Sequence, residues 1–284
     1  GLQILTVLET KIYMGQLLQT MTQNQADIQK GIYNFTQKIF NMPCAFITPI
    51  TISAIPTITA QLTAGNHTAV RSTEESAARI TGLISAPCAV GLFVLAEPIT
   101  ALLGGYTGER LTLAASLMSI LGICVVFNAI VLLTNAIMQA HGHVNLPVVN
   151  MFVGGIVKLV AVYILSGNPA IGIAGTPIGT LLCYLCITTL NLITMRKVLP
   201  QAPAILKNIL RPLVCALMMG AVAYGTWYGL TTVLGITNRI LACAAPIGIG
   251  ALVYVFTAAK LRAITREDCL LLPKGEKIAN LLKL

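Results

Sequence analysis

Seven apolar runs, each about nineteen to twenty-nine residues long, follow one another along this chain. Their approximate cores are 39–62, 80–103, 111–139, 147–165, 171–195, 212–234 and 240–260. About 20 apolar residues at ~1.5 Å per residue carry a helix across the ~30 Å hydrocarbon core of a bilayer. The runs therefore predict an all-α fold, a polytopic transmembrane helix bundle. A further apolar segment, about residues 1–21, opens the chain without an initiator Met and reads as a helix cut part-way. The expectation is the C-terminal portion of a longer protein. A signal peptide fits poorly, because no basic region precedes this segment and no small-residue cleavage site follows it.

Composition agrees with a membrane bundle and not with a soluble domain bearing one anchor. Charged residues make up 10% and hydrophobic residues 56%, with a mean hydropathy of +0.83; soluble domains carry about 25% charged residues. Turn-forming residues fall between the runs: Ala64-Gly65-Asn66, Gly104-Gly105, His141-Gly142, Gly167-Asn168-Pro169 and Gly235. The expected organisation is a truncated transmembrane helix (1–21), a seven-helix transmembrane lobe (22–260) and a cytoplasmic tail (261–284).

The formal net charge of +9 does not indicate nucleic acid, because the basic residues gather at loop ends on one side. Counted by alternate loops, twelve lie with Arg71, Arg196 and Lys260, against four on the other side: Lys30, Lys38, Arg110 and Arg239. By the positive-inside rule the C-terminus is cytoplasmic and the first helix runs outward. Of eight cysteines only Cys269 lies in a polar segment. Cys183-x-x-Cys186 falls inside a span with no second such pair, so it reads as helix packing, not as a redox or zinc motif.

Polar residues inside the spans are the candidates for function. Lys158 interrupts the run PVVNMFVGGIVKLVAVYIL near its middle, where a lysine costs about 2.5–3.5 kcal/mol by insertion scales. Its helical face carries Gly154, Gly155 and Ala161, small residues that favour an interior position, with snorkelling to the headgroups as the alternative. Asn128, Asn135 and Gln139, spaced by seven and four, form an amide stripe suited to interhelical bonds or a hydrophilic cavity wall. Glu9, Tyr13, Gln16 and Thr20 make a third stripe, with Lys11 pointing elsewhere. Glu9 reads as a cation or proton carrier, or as the counter-charge of a basic residue on a helix not present.

The 39–62 span holds Pro43, Pro49 and Pro56 with Thr48, Thr51, Ser53 and Thr57 around them; the prolines are expected to kink the helix, and hydroxyls or neighbouring groups can resatisfy the freed carbonyls. Before it, Asn34, Gln37, Lys38 and Asn41 form a polar face at the outer end, read for Lys38 as a solvated helix start. Glu97 is expected at the interface, meeting Arg110 across a short loop. His141-x-His143 is too weak for a metal site, with no acid or cysteine close in sequence. No nucleophile–base pair, phosphate-binding glycine loop or paired carboxylates are visible, so the chain is not expected to be an enzyme, and no cofactor is indicated.

The strings YNFTQKIFNMPCAFITPITISAIPTITAQL, LISAPCAVGLFVLAEPITALLGG, NAIMQAHGHVNLPVVNMFVGGIVKLVAVYIL and GIAGTPIGTLLCYLCITTLNLITMRK resemble helices of a known group. This is the polysaccharide-exporter and flippase branch of the multidrug/oligosaccharidyl-lipid/polysaccharide exporter superfamily. LLPKGEKIANLLKL resembles the tail of the stage V sporulation protein B family. The resemblance covers essentially the whole chain. It implies the C-terminal lobe of a two-lobed exporter-type fold of about fourteen helices around a central cavity, with the N-terminal lobe absent. It implies a multi-pass protein of the cytoplasmic membrane that moves a lipid-linked saccharide by alternating access. Basic cavity residues of the related lipid II flippases recognise pyrophosphate, which carries over here to Lys158 and less directly to Lys11 and Glu9.

Three functions stay open on these residues. The first is a flippase for an undecaprenyl-pyrophosphate-linked saccharide, with membrane lipids as its surroundings and an unassigned coupling ion, Na+ or H+. The second is a cation-coupled multidrug exporter, and the third is a non-transporting scaffold in a wall-synthesis complex.

Overall fold

The structure, a computed structural model, describes residues 2–199, 201–233, 235 and 238–261, with side chains from residue 5 onward. The segment expected as a cytoplasmic tail, with Cys269, lies outside the described residues apart from Leu261. Helices α1 (Leu2–Leu17), α2 (Gln23–Thr63), α3 (His67–Val94), α4 (Ala96–Leu103) and α5 (Gly108–Ala140) are followed by α6 (Asn145–Ser166) and α7 (Gly175–Val198). The last two are α8 (Ile205–Tyr228), which ends in a π-helical turn over Gly229–Val233, and α9 (Arg239–Lys260). Among the described residues, seven helices are long and apolar enough to cross a membrane; α1, at sixteen residues, is shorter.

α5 is the axis of the bundle. It packs on α2 and α3 on one side and on α7 on the other, while α6 covers α7 and α1 lies against α6. Its apolar residues are buried on almost every face, including Leu117, Leu121, Val125, Leu133 and Ile137, as a helix surrounded by other helices requires. Contact with α3 is close at Gly122, where a methyl group would stand 2.8 Å from the Phe93 backbone nitrogen and 3.0 Å from the Ala89 carbonyl oxygen. α8 packs on α3, and α9 on α8 and α4.

Two boundaries differ from the sequence reading. The 80–103 run is broken at Leu95, because Pro98 has no N–H to continue the hydrogen-bond ladder and instead occupies the first turn of α4. α2 starts sixteen residues before the expected core, at Gln23, where Gln25 Oε1 accepts bonds from the Thr22 backbone N–H (3.1 Å) and hydroxyl (3.0 Å). Its three prolines lie inside one 41-residue helix. The hydroxyls near them do not take up the carbonyls of Ile39, Ala45 and Ile52, which those prolines deprive of a partner. Thr48 donates to Cys44 O (2.9 Å), Thr51 to Thr48 O (2.9 Å) and Ser53 to Ile50 O (2.9 Å).

Candidate functional site

Glu9 of α1 and Lys158 of α6 form an ion pair inside the bundle, Nζ to Oε2 2.7 Å, with side chains 5% and 20% exposed. The Tyr33 hydroxyl of α2 donates to the other carboxylate oxygen at 3.3 Å, and Gln37 Nε2 donates to the Tyr33 oxygen at 2.8 Å. Tyr13 closes the cluster, its ring edge-on to Tyr33 at 6.0 Å. The glycines beside Lys158 make room for this: a side chain at Gly154 would run into Ile187 of α7, and one at Gly155 would press on Leu5 of α1 at 3.2 Å. The counter-charge of Glu9 therefore sits in this chain, correcting the reading that placed it on an absent helix. A buried pair gains Coulomb energy but loses hydration, so its net stabilisation is small while removal of one partner is costly. The arrangement is a clamp that fixes α1 against α6 and α2. Lys11 is exposed and stands off from it.

A second charge lies on the outside of the same helix α2. Asn34, Lys38 and Asn41, spaced by four and three, are all exposed on one face. Their depth is given by Phe40, whose ring stacks on Tyr184 at 6.4 Å, and Tyr184 is the tenth of the twenty-four residues of α7. Lys38 lies two residues from Phe40, about 3 Å along the axis. It is thus level with the middle of the neighbouring helices, which corrects its reading as a solvated helix start. Gln37 is likewise no outer-end residue, being bonded beside the ion pair.

The amide stripe of α5 does not act as one face. Asn128 donates to Cys44 Sγ of α2 (3.0 Å), Gln139 is exposed, and Asn135 turns toward α6 and α7. There Asn191 of α7 donates to Asn135 Oδ1 (2.8 Å) and Thr134 Oγ1 (2.8 Å), and accepts from Asn150 of α6 (2.9 Å). Asn135, Asn150 and Asn191 are buried, so this network ties three helices together. Asn150 and Asn191 were legible as amides within apolar runs, although nothing in the runs shows that they meet.

Nothing in the sequence pattern marks Glu74, yet it is 1% exposed and its Oε1 is hydrogen-bonded with His141 Nε2 at 2.8 Å. An acid therefore does stand beside the His141-x-His143 turn, brought there by α3. No cluster of metal-ligating residues forms among the described residues, and Cys183 and Cys186 are free thiols. Glu97 and Arg110 are both exposed and form no ion pair with each other. Arg239, from the other end of the lobe's sequence, reaches the Ala101 carbonyl at 3.3 Å.

An all-helical bundle with charges and amides held inside, and a cationic polar face exposed at mid-depth, defines a transporter-like membrane fold. Residues 16–241 match the sequence model of the lipid II flippase MurJ family, and the chain belongs to that family. It is 23% identical over 266 residues to the uncharacterized membrane protein YabM of Bacillus subtilis (strain 168), over 91% of this chain and 48% of YabM. Its fold resembles the inward closed conformation of the lipid II flippase MurJ, with a TM-score of 0.67 at 16% identity, over 90% of this chain and 50% of that one. It also resembles an outward-facing multidrug resistance MATE family transporter of the MOP superfamily, with a TM-score of 0.57 at 15% identity over 99% of this chain and 66% of that one. The chain spans about half the length of YabM and of the MurJ structure.

Proposed function

We propose that this chain forms one lobe of a flippase that carries a lipid-linked saccharide, with an undecaprenyl-pyrophosphate carrier, across the cytoplasmic membrane by alternating access. The observation that carries this reading is the exposed Asn34–Lys38–Asn41 face at mid-depth on α2. A lysine facing lipid there costs about 2.5–3.5 kcal/mol by insertion scales, so such residues front a water-filled cavity. An ammonium flanked by two amides is suited to an anionic diphosphate bearing sugars. The second lobe would complete the cavity, and Lys158 serves the clamp that shapes it. With Lys38 inside a span, the basic count becomes twelve against three, which supports a cytoplasmic C-terminus. Within the family, the tail motif supports the stage V sporulation protein B branch, with a wall or spore-cortex precursor as cargo.

The test is precursor binding and translocation by the full-length protein reconstituted in vesicles. Lys38→Ala is expected to weaken binding about tenfold or more, the loss of one charge-assisted contact, and Lys38→Arg to retain it. Unchanged binding and translocation by Lys38→Ala would sink the reading. The multidrug alternative needs an available membrane acid, and Glu9 is already neutralised by Lys158. The scaffold alternative requires the polar faces to be consumed by helix contacts, which the exposure of Lys38 opposes.

A further inference from the structure

At the end of the bundle that carries Arg71 and Arg196, Glu74 of α3 meets His141 at the close of α5. Glu74 Oε1 and His141 Nε2 are 2.8 Å apart, with side chains 1% and 14% exposed. Besides the N–H that a neutral imidazole keeps, the pair can hold one further proton. With that proton the pair is neutral overall and its hydrogen bond is charge-assisted. Without it the imidazole still donates, but a net negative charge stays on a carboxylate shut off from water, which is costly. His141 is also the C-cap of α5, and the carbonyl end of a helix favours positive charge. Beside the pair, the Thr59 hydroxyl of α2 donates to the Ala140 carbonyl at 3.4 Å, a long bond that leaves Glu74–His141 as the stronger tie.

Other charges near the pair are engaged elsewhere or turned to water. Glu75, whose charge also acts on Glu74, is bridged to Arg71 at 3.1 Å, and Arg79 donates to Ser76 at 2.8 Å. α2 has no charged residue between Lys38 and its end at Thr63, and α6 has none before Lys158. Arg196 and Lys197 of α7, Lys207 and Arg211 of α8, and His67 at the start of α3 are all exposed. Glu97 of α4, like Glu109 and Arg110 of α5, belongs to the opposite end of the bundle. His143, half-buried on the same turn, is the remaining titratable neighbour.

We propose that Glu74 and His141 form a proton-binding latch: the bound proton holds the α5–α6 turn against α3, and its loss as the pH rises loosens that turn. The proton enters through His141, the more exposed partner. Gly142, at φ 84°, follows directly and begins the turn into α6, so release at His141 passes straight to the connection between the two helices. On the orientation argued above this end meets the cytoplasm, and the latch then responds to the pH of that compartment alone. It stands apart from the flippase reading and from the Lys38 face.

The test is hydrogen exchange of the 140–146 amides in the full-length protein in detergent, each rate divided by its intrinsic rate at the same pH. In the wild type, protection is expected to be about tenfold higher at pH ~6 than at pH ~8, a window set by the ordinary range of histidine. Glu74→Gln and His141→Gln are expected to abolish that step, whereas His143→Gln keeps it. His141→Arg carries a cation at every pH and is expected to leave the turn protected at both. Equal protection at the two pH values in the wild type overturns the proposal. So does a step that survives in Glu74→Gln or His141→Gln, or one that disappears in His143→Gln. Should Glu74→Gln fail to fold, His141→Gln and His141→Arg decide the matter from a half-buried position at the turn.

Discussion

Lys158 and Glu9 lie 149 positions apart in the sequence and 2.7 Å apart in space, on helices α6 and α1. Each would be an isolated charge in an apolar helix. Together, with Tyr33 on the carboxylate, they form a neutral cluster that holds the first helix to the lobe.

Lys158→Met strands the Glu9 carboxylate and is expected to cost about 3–5 kcal/mol, the usual price of a buried charge left alone. The double variant Glu9→Gln, Lys158→Met should recover most of that loss. Thermal unfolding of the full-length protein in detergent reads both. A single variant as stable as the wild type would show that the pair carries no structural role.

Asn191→Leu removes the hub of the α5–α6–α7 network and leaves Asn135 and Asn150 without it. The expected loss is about 1–3 kcal/mol. Asn128→Leu breaks only a contact to a thiol, for which about 1 kcal/mol or less is expected, since sulfur is a weak acceptor. Comparing the two unfolding temperatures checks the ranking.

His141→Ala leaves the buried Glu74 carboxylate without its partner, with an expected loss of about 1–3 kcal/mol. His141→Gln keeps a donor on the side chain and should be milder. Protease resistance of the α5–α6 connection, compared across the three proteins, reports the change directly.

Gly122→Ala would force a methyl group against the α3 backbone, 2.8 Å from Phe93 N. Backbone cannot swing aside as a side chain does, so overpacking of about 1–3 kcal/mol is expected. Gly225→Ala, with open space around it, is the control and should be neutral or slightly stabilising.

The spans, their number and most of the breaks were set by hydropathy, because hydrocarbon imposes a length and a composition on each crossing helix. Lys158 was legible as an interior residue for the same reason: its charge is costly, and Gly154 and Gly155 share its face. The pairing of that charge was not legible. Glu9, Tyr33 and Gln37 come from two other helices, and a helical face gives a direction without naming its neighbour. The stripe Asn128, Asn135, Gln139 shows the same limit, since one line of spacing meets α2 at one level, α6 and α7 at another, and open surface at the third. The depth of Lys38 is not legible in the apolar run, because α2 begins at Gln23, well before that run; the stacking of Phe40 on Tyr184 supplies it. Sequence alone thus determined that the chain is a membrane helix bundle and marked some of the polar residues within it, Lys158, Glu9 and Asn135 among them, but not Glu74. Tertiary structure decided which of those are spent on one another inside the lobe and which, like Lys38, remain facing outward, because hydrogen bonds and ion pairs act over about 3 Å and depend on how separate helices pack.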